Sequence, residues 1–467
     1  MKPSELSRRE WLTRVGLAAG AAGVAGAASL TPEDANADFV TRKKAERGKL
    51  YDGSEATPSR LHADGTIERP ALNVPKIHET DVLVVGAGPA GCCAAIAAAR
   101  AGVKVTLVER YNHFGGLATG GLVLIILGHW TRPNPNSKDR VQVVQGIGEE
   151  MMQRLESLPH GIVNRQHGRN PTIDSEAYKY LLVDMITEAG IDVFLHSWAT
   201  EAIVADEPSA TGKPILRGAL IQTKTGPYAI LAKQVIDTTG DGDVFATCGA
   251  AYSHRMYNIG LPYRIGNLDR VTPPADAKRP RYMGDITPVD GVRWVNMGGP
   301  DGDGVDVKTM TQLELQHRKQ IWKQYNELRN TPGYENVFLM ETAPQLGVRI
   351  TRVLEGTEEM TLADAKAGRT YDSYVGIGGA WGGDHIGWQV PYGSLLSKNV
   401  ENILTAGRSV CAAPDMAELV RVIPNCWMTG HAAGCAAVVA VRSGCLAREA
   451  NVDDIRSLLR DQKAYLG

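Results

Sequence analysis

One stretch, DVLVVGAGPAGCCAAIAAARAGVKVTLVER from Asp81 to Arg110, constrains this chain more than any other. It reads as strand, tight turn, helix and second strand. Asp81 to Val85 is a β-branched run suited to a buried parallel strand. Gly86, Gly88 and Gly91 form G-x-G-x-x-G, with Pro89 and Ala90 opening an Ala-rich helix. Val103 to Val108 is the second strand, and it ends on Glu109, 18 residues past Gly91. Each glycine has its own mechanical duty: the tight turn, the close approach of a pyrophosphate, and the packing of helix on strand. The helix N-terminus offers free N–H groups and a positive dipole end to phosphates. Glu109 is placed to accept from the hydroxyls of an adenosine ribose. The unit as a whole predicts a bound dinucleotide.

The N-terminus sets the compartment. Ser7-Arg8-Arg9-Glu10-Trp11-Leu12 is a twin-arginine stretch, followed by a mildly apolar run from Val15 to Leu30. Ala35-Asn36-Ala37 supplies small residues at the cleavage positions, with Asp38 next. This pattern predicts a Tat signal peptide over residues 1–37, recognition by the Tat translocase and a periplasmic location. The apolar run is short and glycine-rich for a membrane span. Passage in the folded state suits a protein loaded with its cofactor in the cytoplasm.

Composition agrees with an ordinary enzyme of 467 residues. A formal net charge of −2 gives no reason to expect nucleic acid or an anionic membrane as partner. The 51 glycines fit a backbone that crowds a large ligand. None of the seven cysteines forms C-x-x-C, so they read as small buried hydrophobes, and no metal site is expected.

Farther along, residues 38–75 are polar and predict an extended arm. Val143 to Leu158 and Ser175 to Gly190 carry apolar residues at helical spacing. Asp192–Leu195, Glu201–Ala205, Arg217–Thr223 and Tyr228–Leu231 alternate as strands and predict a small antiparallel sheet between the halves of the Rossmann unit. Val235 to Asp237 then reads as a short strand leading into Thr238-Thr239-Gly240-Asp241-Gly242-Asp243. An aspartate in a glycine turn at the carboxyl end of a strand stands where open α/β sheets bind ligands. Asn402 to Arg408 repeats the arrangement, and the helix that follows from about Pro424 has Gly430 in its early turns.

Four of these pieces, VLVVGAGPAGCCAAIAAARAG with VER, FGGLATGGLV, KQVIDTTGDGDVFATCGA, and ENILTAGRSVCAAPDMAELVRVIPNCWMTGHAAGCAAVVAVRSG, occur in the order found in a known family. QLGVRITRVLEGTEEMTLADAKAGR in the middle is also similar. The chain resembles the FAD-dependent oxidoreductases with the glutathione-reductase-type FAD fold, distant relatives of the fumarate reductase flavoproteins. The resemblance implies an α/β fold, with a Rossmann-like FAD-binding domain (a parallel sheet with an antiparallel insertion) and an α+β substrate or cap domain. It places the first FAD-binding part at 76–250, the cap at 251–390 and the C-terminal FAD-binding part at 391–467. It also implies roles. Gly86, Gly88, Pro89, Ala90 and Gly91 would hold the pyrophosphate, Glu109 the adenosine ribose, and Arg110 would lie by the adenine. Gly115, Gly116 and Thr119 would line the flavin or its ribityl chain. Gly240, Asp241, Gly407 and Arg408 would support the ribityl and pyrophosphate region. The helix entered by Asn425, with Gly430 beyond, would point its N-terminus at the flavin C2 carbonyl, where reduced flavin carries negative charge. FAD is expected to be non-covalent, although His113, two residues before Gly115, leaves covalent attachment as the minor alternative.

The departure from the resemblance is at the catalytic end, where the fumarate reductase motifs do not align. Arg349 and Arg352 could clamp a substrate carboxylate, or instead form structural ion pairs with Glu355 or Asp364. His385, in the run Trp381-Gly382-Gly383-Asp384-His385-Ile386-Gly387-Trp388, is the first candidate for a general acid or base, with Tyr392 next. His431 reads as a structural residue on the flavin side. No second G-x-G-x-x-G with strand and acid is present, so a dedicated NAD(P)H domain is not expected. The expected activity is hydride transfer from a small polar organic substrate to flavin N5, with electrons passing to oxygen, a quinone or a cytochrome-like periplasmic carrier. The alternatives are fumarate-reductase-like reduction of an activated double bond and a non-catalytic flavin-binding protein.

Overall fold

The structure, a computed structural model, describes residues 59–166, 169–380 and 386–467. The twin-arginine leader, the first part of the arm and His385 lie outside the described residues. Residues 59–72 belong to a separate small unit in which Arg60–Leu61 pairs antiparallel with Ile67–Glu68. The second unit runs from Asn73 to Gly467.

Its centre is the sheet opened by the glycine-rich motif. Strand β1 spans Lys76–Val85, helix α1 Pro89–Arg100 and strand β2 Val105–Val108. Val82–Val85 are sealed from water, as a strand covered on both faces must be. The strand starts five residues before the Asp81 expected from its apolar run, because Lys76 already pairs with Ala229. Helices α2 (Ile147–Glu156) and α3 (Ser175–Glu188) follow, and Asp174 caps α3 by accepting from the amides of Glu176 and Ala177. Strands β3 (Asp192–Phe194), β4 (Trp198–Val204), β5 (Leu216–Thr223) and β6 (Gly226–Asp237) complete this part.

The two short strands read around Tyr228 and Val235 are one strand, β6, and both halves are used. On one side Gly226–Leu231 pairs antiparallel with β5, and on the other Ala229–Asp237 lies parallel to β1. The expected antiparallel sheet is therefore a β4-β5-β6 meander growing directly out of the parallel sheet, and β3, expected within it, is instead a parallel strand beside β2.

Between about 251 and 390 the chain builds smaller sheets. Strand β7 (Tyr257–Gly260) is followed by β8 (Tyr263–Gly266) and β9 (Arg293–Val295). Helix α4 (Val307–Arg329) leads to β10 (Phe338–Thr342) and β11 (Gly347–Val348). β9, β8 and β10 lie side by side and antiparallel. Buried Arg264 on β8 reaches back to the N-cap of α3, with Nη1 2.6 Å from Asp174, and also bonds Glu341, so its charge is compensated on both sides. Strands β12 (Tyr374–Gly379) and β13 (Gly387–Pro391) form a hairpin.

The chain then returns to the first sheet. Strand β14 (Ile403–Thr405) lies parallel to the end of β6, with Asp237 opposite Thr405. Helix α5 (Pro414–Val420) precedes the long α6 (Ile423–Ser443), which crosses α1. Both α1 and α6 are rich in small residues, so their backbones approach closely. A Cβ built on Gly430 would overlap the carbonyl of Ala90, and one on Gly434 that of Ala94. Gly430 thus serves the helix crossing and does not face the ligand side, a correction to its expected role.

No helix among the described residues is long and apolar enough to cross a membrane. The seven cysteines are free and six are buried, and burial pushes the Cys92 thiol up to about 12.

Gly430→Ala should lower stability by about 1–3 kcal/mol, the usual effect of overpacking a tight contact. Thermal unfolding of the purified protein reads this out, and a wild-type midpoint would mean that the two helices part at little cost.

Candidate active site

Register decides where the functional loops meet. In the parallel part of the sheet Val85 stands beside Val108 and Asp237, and Asp237 beside Thr405. The four segments that follow these strand ends, Gly86–Gly91, Glu109–Tyr111, Thr238–Asp243 and Ala406–Arg408, therefore open on one edge. A cleft of about 1000 Å³ lies there.

The first segment behaves as its spacing predicted. Gly86 has φ +97°, and a Cβ on it would stand 2.6 Å from the Thr238 carbonyl oxygen. A Cβ on Gly91 would overlap the Gly86 carbonyl, so this glycine serves helix packing. Gly88 differs from both, because a Cβ there meets nothing within 4 Å and would project into open space. Helix α1 begins at Pro89 with no side-chain cap and no acidic residue in its first turn. Its N-terminal amides and positive dipole end are left for an anion in the cleft. The Glu109 carboxylate is pinned by the amides of Ala87 (2.7 Å) and Tyr111 (2.9 Å) and stays on the cleft wall with lone pairs to spare. Arg110 lies over the rings of Tyr111 and Trp198, at 4.9 and 5.5 Å from their centroids.

The next loop is split between wall and scaffold. Gly116 lines the cleft, and a Cβ on it would stand 2.9 Å from Gly88 Cα. Gly115 and Thr119 lie behind it. The amide of Gly115 donates to the Ala87 carbonyl at 2.7 Å, and the buried Thr119 hydroxyl donates to the Phe114 carbonyl at 2.6 Å. The expectation that these two line the flavin side is corrected: they hold the loop. His113 also faces away from the cleft, its Nδ1 bonded to the Asn112 side chain and its ring stacked on Tyr111.

At the β6 end the buried Asp237, not singled out in the sequence, organises the turn by accepting from the amides of Thr239, Val244 and Phe245. Gly240, at φ +78°, lies so close to Arg408 that a Cβ would fall 2.5 Å from its Nη2. Asp241 Oδ1 accepts from Arg408 Nη2 (3.0 Å) and from the Thr351 hydroxyl (2.9 Å). Arg352 Nη1 reaches the Asp241 carbonyl (3.1 Å) and Asp243 Oδ1 (3.2 Å). Arg352 is consequently committed to the turn, pairing with neither of its expected partners, since Glu355 pairs with Lys398 and Asp364 with Arg369. Burial, with Asp241 and Asp237 close by, pushes the Asp243 carboxyl up to about 6 against the pull of Arg110 and Arg352.

The N-terminus of α6 opens on the same cleft through Val422, Ile423 and Cys426, again with no side-chain cap and no acidic residue in the first turn. Asn425 does not take part. Its side chain accepts from the Gly379 amide at 3.0 Å and donates to the carbonyls of Gly379 (3.0 Å) and Leu419 (2.8 Å), which ties α6 to strand β12. Gly407 lines the cleft at φ +86°, its amide donating to the Thr429 hydroxyl at 3.0 Å.

Tyr392 is corrected as a catalytic candidate. It is buried away from the cleft and its hydroxyl donates to the Ala447 carbonyl at 2.6 Å. His431 is buried against Gly146 and bonded to Gln462 (2.9 Å), and burial lowers its imidazole to about 4.

Beyond the cradle the cleft continues into a polar lobe. Tyr257 and Asn258 on β7, Trp294 on β9, Arg349 after β11, and Glu418 and Arg421 around the end of α5 line it. Of these the sequence reading found only Arg349. No local pattern marks Tyr257, Glu418 or Arg421, which come from segments far apart in the chain.

Comparison with known proteins follows this geometry. A family model described as FAD dependent oxidoreductase matches residues 81–260 and 263–459, most of the chain. Thiamine thiazole synthase of Metallosphaera sedula is 27% identical over 189 residues, which cover 39% of this chain and 60% of that protein. The corresponding enzyme of Sulfolobus acidocaldarius is 27% identical over 191 residues, 39% of this chain and 62% of its own length. The chain thus spans about three-fifths of these relatives. Among solved structures, a geranylgeranyl bacteriochlorophyll reductase-like protein from Thermoplasma acidophilum is 16% identical, with 83% of this chain and 84% of that chain covered and a TM-score of 0.44. A flavin-dependent brominase is 13% identical, with 82% and 84% covered and a TM-score of 0.45.

The Asp243 carboxyl makes a pH prediction with a definite sign. The folded protein holds this proton to about pH 6, the unfolded chain only to about 4. Stability should therefore fall as pH rises through that window, by up to about 3 kcal/mol. Asp243→Asn should remove this component from a denaturation-versus-pH series. Identical pH profiles for the two proteins would show that the carboxyl titrates normally.

Proposed function

Because the chain belongs to the FAD dependent oxidoreductase family, we propose that it is an exported enzyme that oxidises a small polar organic substrate held in the polar lobe of the cleft. The observation that carries this reading is the continuity of one cleft, from Gly88 and Glu109 at one end to Tyr257, Trp294 and Arg349 at the other. The residues present fit FAD. In this reading the Gly86–Gly91 turn and the α1 N-terminus take the pyrophosphate, Glu109 the adenosine ribose, and Arg110 the adenine side. Gly116, Gly240, Gly407 and the Asp241–Arg408 pair support the ribityl region. The uncapped N-terminus of α6 would hold the flavin at its C2 carbonyl side, where the helix dipole would favour negative charge.

Bound non-covalently, FAD would supply a hydride acceptor at N5, with oxygen, a quinone or a periplasmic carrier as the final electron acceptor. The protein's own groups orient the substrate and exclude water, and His385 takes the substrate proton. Tat export places the enzyme in the periplasm, where nicotinamide is scarce, in keeping with a sequence that shows a single dinucleotide motif. The arginines of the polar lobe also favour the reverse reaction, reduction of an activated double bond in a carboxylate.

Acid precipitation of the purified yellow protein should release FAD, and Gly88→Val should abolish its retention by filling the open space at that position. Normal FAD content in Gly88→Val would refute this placement of the pyrophosphate. Anaerobic screening of sugars, hydroxy acids, amines and unsaturated acids then separates the directions. Bleaching of the flavin supports oxidation, and reoxidation of dithionite-reduced protein by unsaturated acids supports reduction. In the same assay His385→Ala should slow flavin reduction by roughly 10²–10⁴ with an intact spectrum, and an unchanged rate would discard it as the base.

Export is tested separately. Replacing Arg8 and Arg9 with lysine should hold the precursor in the cytoplasm, while the wild-type protein should begin near Asp38 in the periplasm. Normal export of the lysine pair would remove the Tat reading.

A further inference from the structure

The polar lobe contains two guanidinium groups and one nearby carboxylate that must serve both. Arg349 follows β11, which pairs with β7 through Ile259 opposite Val348 and Gly260 opposite Gly347. This pairing brings Asn258 to Arg349, whose Nη1 donates to the Asn258 carbonyl at 3.1 Å and to its side-chain oxygen. The N–H groups on Nε and Nη2 of Arg349 have no protein partner among the described residues, and Arg349 has no carboxylate partner there. From the other wall, Arg421 stands between α5 and α6. Its Nη2 donates to Glu418 Oε1 at 2.9 Å, while its buried Nε has no partner. Glu418 is already shared, since Tyr257 donates to its Oε2 at 2.5 Å.

The charge balance is therefore unequal. Arg349 and Arg421 face one cavity, and among the described residues Glu418 is the only carboxylate bonded to either. Burial, and then the neighbouring Arg421, weaken the hold of Arg349 on its proton by more than Glu418 strengthens it. Asp301 stands on the same wall but is exposed, where water screens it. The other charges on the cleft wall nearby are paired: Arg408 with Asp241, and Arg352 with Asp243. Two part-buried guanidinium groups with spare donors are suited to a planar or tetrahedral oxyanion.

We propose that Arg349 and Arg421 form an anion subsite that binds a carboxylate or phosphoryl group of the substrate. The subsite rests on the flavin oxidoreductase reading of the same cleft. It replaces the Arg349–Arg352 clamp expected from the sequence, since Arg352 is held by the Asp241–Asp243 turn. Tyr257 and Glu418 are positioning residues that hold Arg421 in place. The protein therefore selects small organic acids or phosphate esters over neutral alcohols, sugars and amines of the same size.

The test uses the FAD-loaded protein and matched pairs of small molecules: lactate against propane-1,2-diol, and glycerol 3-phosphate against glycerol. Binding is followed by calorimetry and by perturbation of the flavin absorbance, with no need for turnover. The anionic member of at least one pair should bind at least about tenfold more tightly, and the responding pair identifies the group as carboxylate or phosphoryl. Arg349→Gln and Arg421→Gln should each weaken that binding by roughly 10- to 100-fold with FAD content and melting temperature retained. Equal binding of anionic and neutral members, binding of neither, or wild-type anion affinity in both variants overturns the proposal. If either variant fails to fold, the wild-type comparison still decides. A protein that holds no FAD defeats the oxidoreductase reading itself. One that holds FAD and is reduced by neutral substrates alone defeats only the anion subsite.

Discussion

The parallel pairing of β1 with β2 and β6, extended by β14, is the constraint on which the site depends. Parallel strands in register end together, so the loops that follow them are delivered to one edge. Val85, Val108, Asp237 and Thr405 are neighbours at that edge although they span more than three hundred residues of sequence. A glycine turn, a carboxylate, an aspartate turn and an arginine then share one cleft without long reaches by any side chain. β6 holds the arrangement together because it pairs antiparallel with β5 over Gly226–Leu231 and parallel to β1 from Ala229 to its end, where β14 joins it on the other side.

Close helix packing completes the same edge. α1 and α6 approach so nearly that Gly430 and Gly434 face backbone carbonyls of α1. The crossing brings two uncapped helix N-termini to one cavity, one beside the glycine turn and one beside Arg421. Anionic character in a ligand is favoured at both ends of the cleft by the same backbone physics.

A chain of polar contacts links these ends. Asp241 holds Arg408, whose Nη1 donates to the Arg349 carbonyl at 3.2 Å. The turn that follows β6 is thereby tied to the backbone that carries Arg349. In a cleft so connected, the position of Arg349 depends on the Asp241–Arg408 pair at the end of β6. Asp243 and Arg352 form a second contact across the same turn, so the charge of Arg352 already has its counter-ion.

What the sequence determined by itself was local. The strand, turn, helix and acid from β1 to Glu109 are contiguous, so the left-handed turn at Gly86 and the helix start at Pro89 follow from local spacing. The position of Asp241 on the cleft wall was legible for the same reason, as a turn at a strand end. Thr119 and Asn425 misled because a hydroxyl or amide near a glycine turn can equally bond a carbonyl of its own scaffold, as both do. Tyr392 likewise satisfied its hydroxyl in the core. Tertiary structure alone decided the polar lobe. Tyr257, Arg349, Glu418 and Arg421 have no common spacing, and only the β7–β11 pairing and the α5–α6 junction bring them together. Side-chain partners separated by this much chain are set by packing and register, and no local periodicity encodes them.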